Sequence, residues 1–149
     1  MNSTLSIFNA VHAALYAKQS TTLNYVQFIY KGWRNREDIP KYPVIIIEPA
    51  REPEGRYTTP NYVRNTFEMS IMPIMEVLNP NNQITGDNSG KGILEIVADI
   101  KNILSADKTL GGVAIKLGFP MTSFYFEHFP YRYAEITLEV EYIAQDINR

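Results

Sequence analysis

Between residues 132 and 143 the sequence RYAEITLEVEYI alternates without a break. Ala134, Ile136, Leu138, Val140 and Tyr142 fall on one side, and Glu135, Thr137, Glu139 and Glu141 on the other. Successive side chains of a strand point to opposite faces, so this pattern belongs to a strand with one dry face and one wet face. Such a strand needs a covering layer on one side only. The same period recurs in VRNTFEMSIMPI, where Val63, Phe67, Met69 and Ile71 oppose Arg64, Thr66, Glu68 and Ser70. Pro73 then predicts an edge or a bulge at the far end, because proline cannot donate to a ladder.

The covering layer is visible at a different period. Ile93, Ile96, Val97, Ile100, Ile103 and Leu104 recur at helical spacing, with Glu95, Asp99, Lys101 and Asn102 elsewhere on the wheel. Leu5, Phe8, Val11, His12 and Leu15 make a first helix over roughly 4–18, with Ser3 or Thr4 placed to cap it. VQFIY and VIIIEP read as strands. Val44 to Ile47 are apolar at every position, which predicts cover on both faces, and Pro43 and Pro49 read as stops. AREPEGRYTTPN is expected to be an exposed loop with no regular element, and NPNNQITGDNSGKG a connection of unusual length. Leu110 to Leu117 and Phe124 to Phe129 read as two further strands before the closing one.

The order is helix, two strands, loop, long strand, loop, helix, three strands. Too few helices separate the strands for a parallel sheet. The expectation is an α+β fold, a mostly antiparallel sheet of about five to six strands with two main helices against one side, in a single domain spanning 1–149. A chain of this length buries roughly 68–70% of its unfolded surface, enough for one sizeable core.

Charge and composition remove several functions. Fourteen basic residues against sixteen acidic ones lack the basic footprint of sequence-specific nucleic-acid binding. The absence of cysteine excludes disulfides, thiolate zinc sites and cysteine nucleophiles. The N-terminal MNSTLSIFNAVHAALYAKQS has no basic region before spaced apolar residues, unlike a signal peptide, and no run approaches the roughly 18 apolar residues of a membrane span. The protein is expected in the cytoplasm, or assembled there.

Chemical motifs fare no better. Gly86-Asp-Asn-Ser-Gly-Lys-Gly92 running into ILEIVADIKNIL suggests a phosphate-binding loop, but its glycines enclose three residues rather than four, and Gly92 replaces the hydroxyl that holds magnesium. It is read as a loop ending in a helix start. His12 lies within the first helical stripe, where a bond to backbone is expected. Glu127 and His128 are adjacent in a strand and so point apart. Glu135, Glu139 and Glu141 form a solvated strand face or an acidic lining, and Met69, Met72 and Met75 are read as core filling. No catalytic, cofactor or metal residues are assigned. What remains is ten tyrosines, several in or beside loops (Tyr25, Tyr30, Tyr42, Tyr57, Tyr62, Tyr131), with Trp33 and Arg34 in a polar connection. These types are enriched at the centres of protein interfaces.

An N-terminal helix, a YPVIIIEP strand, a long amphipathic strand, a loop, the helix ILEIVADIKNIL and the closing RYAEITLEVEY resemble, from Leu5 to Ile143, the tail terminator and neck (head–tail joining) family of tailed bacteriophages. The resemblance lies in order, length and texture rather than in an invariant motif. It implies a structural virion protein without catalysis or cofactor, assembled in the host cytoplasm. It also implies a ring homo-oligomer, in the family a hexamer, between tail tube protein and a head-completion protein, with DNA passing through its channel and no membrane partner. Glu135, Glu139 and Glu141 become candidates for the channel or an exposed strand face. Trp33, Arg34, Arg51, Arg56, Tyr57, Tyr62, Asn82, Asp87 and Lys91 become candidates for subunit or partner contact. The two loops are expected to become ordered between neighbours. A tail-completion or head–tail stopper protein is the alternative within the same machine, and a small-molecule-binding module or a small enzyme lies outside it.

Overall fold

The computed structural model describes residues 3–53, 56–59, 62–77, 81, 83–86, 90–127 and 129–145. Helix α1 (Thr4–Tyr16) starts at Ser3, whose hydroxyl accepts from the Ser6 amide at 3.2 Å while the Ser6 hydroxyl accepts from the Ser3 amide at 2.8 Å. This reciprocal box satisfies two amides that the first turn leaves unpaired. The buried stripe is Ile7, Val11 and Leu15, with Phe8 partly buried; Leu5 is exposed. The expected stripe therefore shifts by part of a turn, because Ile7 rather than Leu5 continues the i, i+4 row of Val11 and Leu15.

Strands β1 (Phe28–Lys31), β2 (Val44–Arg51), β3 (Arg56–Thr59), β4 (Tyr62–Glu76), β5 (Lys116–Tyr125) and β6 (Tyr131–Gln145) build one sheet among the described residues, in the order β1-β2-β4-β6-β5. β3 pairs with β4 beyond the end of the β2 ladder. Only β1 and β2 run parallel; the other pairs are antiparallel. Helix α2 (Ile93–Ser105) lies with α1 on one face, burying Ile93, Ile96, Val97, Ile100 and Leu104 against Ile45, Met69, Ile71, Ile136, Leu138 and Val140. Each aliphatic side chain so buried contributes about 1.5–3 kcal/mol before ordering entropy is subtracted. The architecture is α+β, mostly antiparallel, with both helices on one side.

Several local expectations are corrected. Pro49 does not stop β2: it pairs with Met69, and the strand reaches Arg51 through a bulge. The β1 ladder ends at Ile47, so Pro49 has a strand on one side only. AREPEGRYTTPN is not free of regular structure, since it contains the end of β2 and all of β3, templated by the long neighbour β4. Pro73 lies inside central β4, opposite Ile45, and the pairing with β6 skips from Ile71 to Ile74 around it. Leu110 to Leu117 is not a strand. Leu110, Gly111 and Gly112 take positive φ in a turn, where the Asp107 carboxylate accepts from the Gly111 amide at 2.8 Å and the Thr109 hydroxyl at 2.9 Å. The strand begins at Lys116 instead and passes through Gly118-Phe-Pro120 as a bulge.

The second face of the sheet divides in two. Toward β1, residues 33–43, including a one-turn 3-10 helix at Arg36–Asp38, fold over Val44, Ile46, Met72 and Ile74 and close a small cluster with Ile39, Tyr30, Tyr42 and Tyr133. Val44 to Ile47 are thus covered on both faces, as their continuous apolar run predicts. Toward β3 the same face has no roof among the described residues.

Candidate functional site

The described residues of the loop before α2 bear on the phosphate-site question in backbone terms. The first amides of α2, which would hold an anion, are engaged: Ile93 donates to the Gln83 carbonyl at 2.9 Å and Leu94 to that of Ile84 at 3.1 Å. Gly92 is required by this close approach, because a Cβ there would stand 2.3 Å from the Ile84 carbonyl oxygen. Lys91 turns back to Glu95 at 3.3 Å and Asp99 at 3.8 Å, with its ammonium 5.5 Å from the centre of the Tyr25 ring. Tyr25 donates to Asp99 at 2.8 Å, and burial first, then Asp99, pushes its phenol up. Lys91 therefore belongs to a helix-side network rather than to a cradle.

His12 makes its expected backbone contact, 3.3 Å from the Ile29 carbonyl. Met69, Met72 and Met75 are buried. His128, Asn82 and Asp87 lie outside the described residues. Arg56, Tyr57 and Tyr62 fall on β3 and the start of β4, at the hairpin end of the sheet. Among the described residues, no group of three or more His, Asp or Glu side chains is disposed to hold a metal, and no helix is long and apolar enough to cross a membrane.

Two surfaces gather the remaining candidates. The first is the unroofed half of the outer face. The pairing of β2, β4, β6 and β5 brings Glu135, Glu139 and Glu141 onto one side with Glu48 and Glu68. Arg51 clasps Glu68 through two bonds of 2.7 and 3.0 Å, which hold the guanidinium above its ordinary pKa, with Glu139 adding to the same field. Glu141 is shared by Arg64 and Lys116, Glu135 accepts from the Ser70 hydroxyl at 3.1 Å, and Glu48 accepts from the Trp33 amide at 2.7 Å. The acidic row is thus largely paired, leaving five carboxylates against three cations among the described side chains.

The second surface is a cavity of about 240 Å³ beneath the 33–43 segment. Buried Ile39 and Ile74 and half-buried Tyr42, Tyr131 and Tyr133 line it, and exposed Trp33, Arg34 and Arg36 complete the lining. The guanidiniums lie over aromatic rings, Arg34 at 5.0 Å from the Tyr30 centroid and Arg36 at 4.9 Å from that of Tyr131. Arg34 also donates to the Gly32 and Trp33 carbonyls, each at 3.2 Å. The Tyr42 and Tyr131 rings meet at 5.0 Å, and Tyr125 stacks on Tyr133 at 4.6 Å. Burial is the main cause pushing the Tyr42 and Tyr133 phenols up.

Trp33 and Arg34 are therefore brought together at the cavity, with the Trp33 amide reaching Glu48 of the acidic row, whereas Arg51 and Lys91 do not line it. Sequence reasoning does not single out Arg36, Ile39 or Ile74, because they become neighbours only when the connection folds across the sheet. The available signal was the pair of arginines in WRNR, two residues apart, just before an isoleucine and two prolines.

No protein-family model matches the chain, and no curated protein aligns with it significantly.

Proposed function

We propose that this chain is a structural subunit of a tailed-phage neck, a terminator that caps the tail tube as a ring and joins it to the head. The observation that carries the reading is the division of labour across the sheet. Both helices close one face, while the β3 end of the other face stays open, polar and mostly charge-paired. Such a surface suits a channel or a tube contact, because paired carboxylates neither attract phosphate nor repel it strongly at physiological salt.

Two further features support assembly. Among the described residues the sheet ends at β1 on one side and β5 on the other, and a head-to-tail contact between unlike surfaces closes into a ring when the rotation permits. Large apolar side chains stand exposed near both: Met121 at 61% and Phe129 at 68% by β5, and Trp33 at 51% beyond β1.

The test is negative-stain imaging of the purified chain, alone and mixed with tail tubes of the same phage. Annular particles, or tube ends closed by a distinct collar, are expected. A chain that stays monomeric at high concentration and leaves tube ends bare removes this reading, and binding to the portal side alone replaces it with the stopper.

A further inference from the structure

The cavity under the 33–43 segment has a chemistry that packing alone does not explain. The Tyr42 hydroxyl is buried and has no hydrogen-bond partner. A phenol donor left unsatisfied away from water is unfavourable and is rare in native structures. The same cavity carries Arg34 and Arg36, neither of which forms a salt bridge with a carboxylate among the described residues. Both guanidiniums are held instead by ring faces, and Arg34 also by backbone carbonyls, an arrangement that orients a cation without neutralising it. Glu37, Asp38 and Glu76 lie on neighbouring segments but do not line the cavity.

An unsatisfied donor, two unneutralised forks and aromatic and aliphatic walls have one common complement. We propose that this cavity binds a carboxylate borne on a small apolar body, a single aromatic ring or a branched aliphatic group. The anion meets Arg36 or Arg34 and accepts from the Tyr42 hydroxyl once that enclosed group turns toward the cavity, while the apolar body packs on Ile39, Ile74 and the tyrosine rings. The size is consistent: about 240 Å³ lies below the roughly 300–1,000 Å³ of sites for drug-sized ligands, and so suits one ring with a short acid group. That ligand can be a free aromatic acid or the C-terminal residue of a partner polypeptide, and the two share the same chemistry. The inference does not depend on the phage reading.

Three probes separate the cases by protein-observed NMR titration at pH 7: phenylacetate, a pentapeptide ending in phenylalanine with a free carboxylate, and the same peptide as its C-terminal amide. Saturable shifts at residues of the 33–43 segment with phenylacetate or the acid peptide, and at least tenfold weaker binding of the amide, are expected. Tight binding of both acids identifies the anchor alone as the ligand, whereas binding of the peptide acid only identifies a partner's C-terminus. Equal binding of acid and amide, or no saturable shift with any probe, overturns the proposal.

Two variants sharpen the test. Arg36→Gln weakens acid binding at least tenfold while leaving amide binding unchanged. Tyr42→Phe removes one oxygen atom, so it keeps the fold and weakens the acid severalfold while raising the melting temperature of the unliganded protein. A Tyr42→Phe variant that binds acid as well as the parent, with the parent's melting temperature, removes the hydroxyl from the site and overturns the proposed geometry.

Discussion

Ile45 and Ile46 are neighbours in β2, both fully buried, yet they point into different surroundings. Ile45 faces the helices, among close-packed aliphatic side chains such as Met69, Ile71 and Ile136. Ile46 faces the smaller cluster, roofed by tyrosines and the 33–43 segment, whose members Ile39, Ile74 and Tyr42 line a cavity. One side of the strand maximises contact, and the other leaves space and unspent polarity. The difference teaches that burial alone does not define a core: stability concentrates where two layers interlock, and recognition where a layer covers the sheet incompletely.

The largest expected effect tests the helix side. Ile100→Asp places an unpaired carboxylate in the centre of the interlocked layer and should abolish soluble expression, since its burial costs far more than the stability of a marginal fold. A soluble variant with an unchanged melting temperature would refute the packing of α2. Next comes the direct comparison within β2. By denaturant titration, Ile45→Ala should cost about 4 kcal/mol and Ile46→Ala about 2 kcal/mol, because the smaller Ile46 cluster is roofed by an irregular connection that is freer to collapse than two packed helices. Equal costs would mean that the two faces are packed alike.

The tyrosines extend the comparison to pH. Tyr142, on the helix side, donates to Glu52, and burial followed by that bond pushes its phenol up to about 12. The folded state then retains a proton that the unfolded chain releases near 10, so this contribution is complete below pH 10 and is lost as pH rises toward 12. Tyrosinate absorbance should show Tyr142 titrating late, and Tyr142→Phe should flatten the alkaline fall in stability. The smallest effect belongs to the open polar surface. Arg51→Ala removes an ion pair whose guanidinium is solvent-exposed, so the melting temperature should barely move, and less still in high salt. A marked fall in melting temperature there would show that the open half is a structural support rather than a contact surface.

Much of the fold was legible because period and side-chain chemistry act locally. The closing alternation placed Ala134 to Tyr142 on the dry face, the 93–104 stripe gave α2 nearly to the residue, and the apolar run Val44 to Ile47 predicted two-sided cover. The errors fell where a neighbour overrode local preference: Pro49 and Pro73 inside strands, β3 within a proline-rich stretch, and β5 displaced from Leu110 to Lys116. Of the candidate site, tyrosine abundance and the Trp33-Arg34 pair could be read in advance. Arg36 with Ile74 and Tyr131 could not, because residues so far apart in the chain meet only in three dimensions.

The sequence by itself determined which faces of which segments must leave water, since hydrophobic period is written residue by residue and needs no partner to be read. Only the tertiary structure decided that a polar connection would fold back over half of the outer face and enclose a cavity there. That outcome depends on strand order and on how far each neighbour reaches, and these are properties of pairs of segments rather than of any one.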